Sequence, residues 1–167
     1  SNPGLAALLD TGQWQQRTRP FWISLGSIGK TPSERLEDFR VMAELLQSCK
    51  KEFRAPFGLQ PNLSCSNTGH DPRELIGESA AVLDILAPLQ VPLMPKYSIA
   101  SASIPAVAML QYHDACDAIC VSNTVLYSWE GLGKKIWGKD VSPLDHLGGG
   151  SISGPELLPH VCSWIDR

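Results

Sequence analysis

Asn62, Ser64, Cys65 and Asn67 place two carboxamides, a hydroxyl and a thiol within six residues. They follow Phe57 to Leu63, a run apolar enough to be a buried strand. A carboxamide offers one acceptor and two donors, so a pair of them can read the edge of a planar heterocycle. A partly exposed thiol among them can serve as base or nucleophile. The competing reading of Cys65 is a buried structural cysteine, the commonest fate of a free thiol. Its polar neighbours argue against that. Further along, Lys96 stands alone in the apolar run Val91 to Ser98, and Ser122-Asn123-Thr124 closes another such run. A lone strand-end lysine reaching solvent and a simple Asx turn are the plain alternatives for these two. Gly150-Ser151-Ile152-Ser153-Gly154 precedes a final apolar stretch, where helix N-terminal amides can receive an anion; a glycine-rich linker reads the same way.

Asn62-Leu63-Ser64-Cys65-Ser66-Asn67 resembles the Asn-x-Ser-Cys-Pro-Asn signature of the dihydroorotate dehydrogenase family, which includes the pyrimidine-reducing domain of dihydropyrimidine dehydrogenase. Ser66 stands where the family has proline. Lys96, 31 residues after Cys65, corresponds to the family lysine that lies against the flavin ring. Ser122-Asn123-Thr124 is similar to the family's Thr/Val-Asn-Thr/Ser. Residues 150–154 are similar to its Gly-Gly-x-Ser-Gly, with Ser151 replacing the second glycine. Asn2-Pro3-Gly4 also has a family counterpart, a similar turn near the start, so the resemblance spans about the whole chain.

The resemblance implies an FMN-dependent oxidoreductase acting on a dihydropyrimidine such as dihydroorotate. It assigns Cys65 as the base taking a proton from C5 while hydride passes from C6 to the flavin, and Lys96 as the group stabilising charge on the reduced ring. Asn62, Lys96, Ser122, Ser153 and Gly154 then contact FMN, and Asn62, Asn67, Asn123 and Thr124 contact the pyrimidine. Members with cysteine as base include soluble cytoplasmic forms, so a cytoplasmic protein, homodimeric at full length, is the expectation. Two rivals stay open: a non-catalytic fragment or diverged paralogue that binds no flavin, and a Cys–His hydrolase, for which only His70 is near Cys65 in sequence.

The elements that must position these residues follow from apolar spacing. A short helix is expected over Leu5 to Gln16 and a strand over Phe21 to Leu25. Thr31-Pro32-Ser33-Glu34 opens a helix, with proline at its first turn. Strands follow at Phe57–Leu63, Leu93–Tyr97 and Asp117–Ser122. Helices are expected from Asp71 to about Ala87, over Ile104–Tyr112 and over Glu156–Ile165. Strand and helix thus alternate with short connections, the cadence of a parallel sheet with right-handed crossovers. Residues 125–150 show neither period, and loops that long are commonly functional. No Gly-x-Gly-x-x-Gly follows a strand, which removes the dinucleotide fingerprint. The resemblance gives the fold as (β/α)8. A barrel takes about 250 residues, so the 167 residues are read as about half of one, an interior portion of a longer protein without a separate second domain. Pro61 and Pro95 fall inside expected central strands, where each must sit at a position needing no N–H.

The chain is 43% hydrophobic and 19% charged with net charge −3, values of an ordinary globular unit. Acids outnumber bases and no basic cluster occurs, which argues against a nucleic-acid partner. No apolar run reaches membrane-spanning length, and no signal peptide is evident. The five cysteines lack the paired Cys/His spacing of a zinc site, so no metal is expected. The apolar context of Cys116 to Cys120 reads as strand.

Overall fold

The computed structural model describes residues 3–63, 72–100 and 104–167, with the backbone alone for 72–76 and 106. Ser64, Cys65 and Asn67 lie outside the described residues. The protein is a mixed α/β chain. In order it runs α1 (Leu5–Asp10), β1 (Phe21–Leu25), α2 (Pro32–Cys49), β2 (Phe57–Pro61), α3 (Pro72–Leu86), β3 (Lys96–Tyr97), α4 (Ile104–Leu110) and β4 (Cys120–Val121). A second group follows: β5 (Val125–Leu126), α5 (Leu132–Trp137), β6 (Ser151–Ile152) and α6 (Leu158–Ile165).

The first four strands lie side by side in chain order, all parallel. β1 pairs with β2 from Phe21↔Phe57 to Leu25↔Pro61, and β3 pairs with β4 through Lys96↔Cys120 and Tyr97↔Val121. Between the two pairs, β2 and β3 are joined only by bridges at Leu59↔Leu93 and Asn62↔Lys96. Prolines explain this break. The bridges fix one offset, which sets Pro61 beside Pro95. Leu59 N donates to Pro92 O at 2.8 Å, Met94 N to Leu59 O at 2.9 Å, and Leu63 N to Lys96 O at 3.2 Å. Pro61 has no N–H to continue that series. On the other side, Leu93 N is received by Asp117 Oδ2 at 2.9 Å, a side chain standing in for a ladder carbonyl. The expected strands Leu93–Tyr97 and Asp117–Ser122 therefore shrink to two residues each. Cys116 lies before β4, in the turns after α4, and not in a strand.

One face of the sheet carries Ile23, Leu25, Phe57, Leu59, Leu63, Leu93 and Tyr97 into a core shared with Phe39 and Leu46 of α2 and Val82, Leu83 and Leu86 of α3. α2 begins as its sequence indicates: Thr31 Oγ1 accepts from Glu34 N at 3.2 Å, and Glu34 Oε2 accepts from Thr31 N at 3.0 Å. That reciprocal cap satisfies two otherwise orphaned donors. α2 and α3 are locked by Arg35, which forms a paired contact with Glu78 at 2.6 and 2.7 Å.

Further expected boundaries move: β2 ends at Pro61 rather than Leu63, with Asn62 only an isolated bridge to Lys96. α1 stops at Asp10 rather than Gln16, because Gly12 takes a left-handed φ of 67°. α4 stops at Leu110 rather than Tyr112. The final helix starts as a 3-10 turn, Pro155–Leu157, before α6. Residues 125–150, expected to be irregular, hold an antiparallel pair with β6 (Val125↔Ile152, Leu126↔Ser151) and the short α5. A small second core of Ile99, Val125, Leu132, Ile152 and Leu157 supports them. Among the described residues, no helix is long and apolar enough to cross a membrane.

Candidate functional site

The C-terminal ends of β1 to β4 bring the described candidates together. Gly26 continues the β1–β2 register and sits beside Asn62. Asn62 is bridged to Lys96, and Lys96 to Cys120. Alternation decides which way the row faces: Pro61, Leu63, Pro95 and Tyr97 are buried, whereas Asn62 and Lys96 are half-buried. Asn62 and Lys96 thus occupy the sheet face opposite the α2/α3 core. Lys96 is not directed among the helices.

Asn123 reaches this row from the end of β4. Its Nδ2 donates to Asn62 Oδ1 at 2.8 Å, across 61 residues of chain. Its Oδ1 accepts from Thr124 N at 2.9 Å, and its own N donates to Tyr97 O at 2.8 Å. Both carboxamides are therefore oriented. Ser122 Oγ donates to Asn123 O at 2.5 Å and accepts from Ile99 N at 3.5 Å. Ser98 Oγ donates to Thr124 O at 3.0 Å. These hydroxyls hold backbone in place, so Ser122 is placed as a brace beside the pair. The loop after β1, which borders the same end of the sheet, is also pinned. Ser27 Oγ donates to Asp38 Oδ2 at 2.6 Å, and Arg35 Nη1 donates to Lys30 O at 3.1 Å.

Ser153 and Gly154 join the same end through the hairpin. One register step beyond Val125↔Ile152, Ser153 lies opposite Thr124. The helix start that was expected to receive an anion is poorly equipped, however. Pro155 has no N–H, Leu157 N is already donated to Gly154 O at 3.1 Å, and a Cβ on Gly154 would meet Glu156 Oε2 at 3.2 Å. A carboxylate beside that terminus opposes a phosphate.

Sequence reasoning missed Gly26 and the hairpin strands. Gly26 left no motif, and only its register with Asn62 reveals it. Tyr97, next to Lys96, is also buried at the sheet but on the core face. Burial holds its phenol well above the usual tyrosine value, with the nearby Ser79 acting slightly the other way. Ser79 does not meet hydrogen-bond geometry with it: the Tyr97 hydroxyl finds no hydrogen-bond partner among the described residues.

Compared with known proteins, the chain matches no family model and no curated protein. Among the described residues no group of three or more His, Cys, Asp or Glu side chains could hold a metal ion.

The donor set at the strand ends suits a flat, polar ring: two oriented carboxamides, an amine in the same row, and an open position at Gly26 that a Cβ would fill. The Ser153–Gly154 end does not suit a phosphate as it stands. The fit to FMN is therefore good at the ring and weak at the far end.

Proposed function

We propose that this chain is the ring-binding part of a flavin-dependent dihydropyrimidine oxidoreductase, built on about half of a (β/α)8 barrel. The observation that carries the reading is the Asn62–Asn123 hydrogen bond at 2.8 Å, in the row that also holds Lys96. With one oxygen lone pair of each carboxamide engaged, the fixed pair still carries amide N–H donors and second oxygen lone pairs that a pyrimidine edge could meet. The four parallel strands with α2 and α3 on one face agree with a partial barrel, whose active end is the C-terminal end of its strands.

When bound, FMN supplies the two-electron acceptor. The chain's own groups do the rest. Asn62, Asn67, Asn123 and Thr124 hold and orient the pyrimidine. Lys96, with Asn62 and Ser122, would hold the flavin ring, and the ammonium would offer a positive charge where negative charge collects. Cys65 accepts the proton from C5 as hydride leaves C6. The same reading carries a small-molecule pyrimidine partner, a cytoplasmic location and a homodimer at full length.

A second reading is favoured by Pro155 and Glu156: a non-catalytic paralogue or fragment that no longer holds flavin. FMN added to the purified chain, followed by anaerobic dihydroorotate, separates the two. The first reading expects saturable quenching of flavin fluorescence and bleaching by dihydroorotate. Cys65→Ala should keep the quenching and lose the bleaching. Quenching that never saturates, with no bleaching at any FMN concentration, leaves the non-catalytic reading.

A further inference from the structure

Among the described residues nothing requires position 26 to be glycine. Its φ lies outside the left-handed region, and a Cβ built on it would meet only Asn62 Cβ, at 4.0 Å, among the described residues. That is an ordinary contact. The contrast with two other glycines is plain. At Gly58 a Cβ would fall 2.4 Å from the Trp22 ring, and at Gly29 it would fall 2.8 Å from Arg35 N. Packing excludes a side chain at both. At Gly26 neither the backbone nor any described residue does so.

The position is also not random. Leu25, its neighbour, is buried in the α2/α3 core, so alternation turns position 26 to the opposite face, the face of Asn62 and Lys96. The register sets it directly beside Asn62. The loop that follows is held by Ser27–Asp38 and by Arg35, so the chain at Gly26 cannot drift inward to close the gap.

We infer that Gly26 is a specificity-determining position: its missing side chain keeps a slot open beside the Asn62–Asn123 carboxamides, wide enough for a flat six-membered heterocycle to lie against them. The inference rests on the proposed pyrimidine reading and adds which residue sets the width of the ring site. A side chain at 26 extends over Asn62 and blocks ring approach without disturbing the core.

The test uses orotate as probe, on the parent chain, Gly26→Ala and Gly26→Leu. Three readouts are taken: thermal stability, orotate affinity, and the side-chain amide NMR signals of Asn62 and Asn123. The expected result is that stability is kept or raised in Gly26→Ala, because an alanine restricts the unfolded chain more than glycine does. Orotate affinity should fall modestly in Gly26→Ala and about tenfold or more in Gly26→Leu, the scale of steric discrimination in a fitted pocket. The Asn62 and Asn123 signals should respond to orotate in the parent and not in Gly26→Leu. If the leucine variant binds orotate as the parent does, the inference fails while the pyrimidine reading stands. If both variants lose stability, Gly26 is a packing glycine and the inference fails. If orotate leaves the Asn62 and Asn123 signals of the parent unmoved, the pyrimidine reading fails and takes the inference with it.

Discussion

Asn123 ties the end of β4 to the end of β2. Its carboxamide bonds Asn62 on one side and Thr124 N on the other. Asn123→Ala removes both partners at once, and a half-buried neutral hydrogen bond contributes about 1 kcal/mol net. We expect a loss of about 1–2 kcal/mol in chemical denaturation, with Asn62 no longer held in one orientation. A stability unchanged within error would mean that the pair is not formed in solution. The thiols supply an independent check at the same scale. Burial pushes the Cys49 thiol up, with the Glu52 charge adding to it. Burial also pushes Cys116 up, with Asp117 adding. A raised thiol carries less thiolate at neutral pH and reacts more slowly. Cys162 is exposed. Iodoacetamide at neutral pH should therefore modify Cys162 well before Cys49 and Cys116, as peptide mass spectrometry would read directly. Early labelling of Cys49 would show that the α2 terminus opens more readily than its packing indicates.

At the scale of elements, the Arg35–Glu78 pair ties α2 to α3 beside their shared apolar core. Both side chains are less than a tenth exposed, and the contact is paired at 2.6 and 2.7 Å. Removing one member leaves a buried, unpaired charge, which costs about 3–5 kcal/mol, whereas replacing both by apolar groups is often near neutral. Glu78→Leu should therefore unfold at much lower denaturant, and Arg35→Met with Glu78→Leu should recover most of the loss. A double variant as unstable as the single one would show that the pair is needed for more than charge balance. How much of these elements is legible in sequence depends on where their hydrogen bonds go. α2 is read almost to the residue, since Thr31, Pro32 and Glu34 encode its start locally. β1 is read in full for the same reason, an uninterrupted apolar run. β3 and β4 are over-read, because the effect of Pro61 and Pro95 depends on their lying side by side across two strands. No local pattern shows that. The β5–β6 hairpin is missed since each strand is two residues long, and its partner lies a long loop away. The row at the strand ends is legible where residue type marks it, at Asn62, Lys96 and Asn123. Gly26 carries no such mark, since only the β1–β2 register places it beside Asn62.

At the scale of the whole molecule, the sheet is covered by α2 and α3 on one face, while the other presents Trp22, 47% exposed, below the Asn62–Lys96 row. Parallel sheets are ordinarily buried on both faces, and among the described residues this second face is left partly open at Trp22. On the proposed reading, FMN would be gripped at its ring by Asn62, Lys96 and Ser122 and at its phosphate by Ser153 and Gly154, where Pro155 lacks an N–H and the Glu156 carboxylate stands beside the turn. Charge-assisted hydrogen bonds contribute about 1.5–3 kcal/mol each. Without two or three of them, affinity drops by several powers of ten, at about 1.4 kcal/mol per tenfold. The 167-residue chain should therefore purify colourless and bind FMN more weakly than micromolar. Glu156→Gln should tighten FMN several-fold, since a repelling charge near the phosphate is removed. The same substitution should leave riboflavin, which has no phosphate, unaffected. Calorimetric or fluorescence titration with both flavins reads the difference. Submicromolar FMN binding by the unaltered chain, or equal gains for FMN and riboflavin in Glu156→Gln, would place the phosphate somewhere other than the Ser153–Gly154 turn.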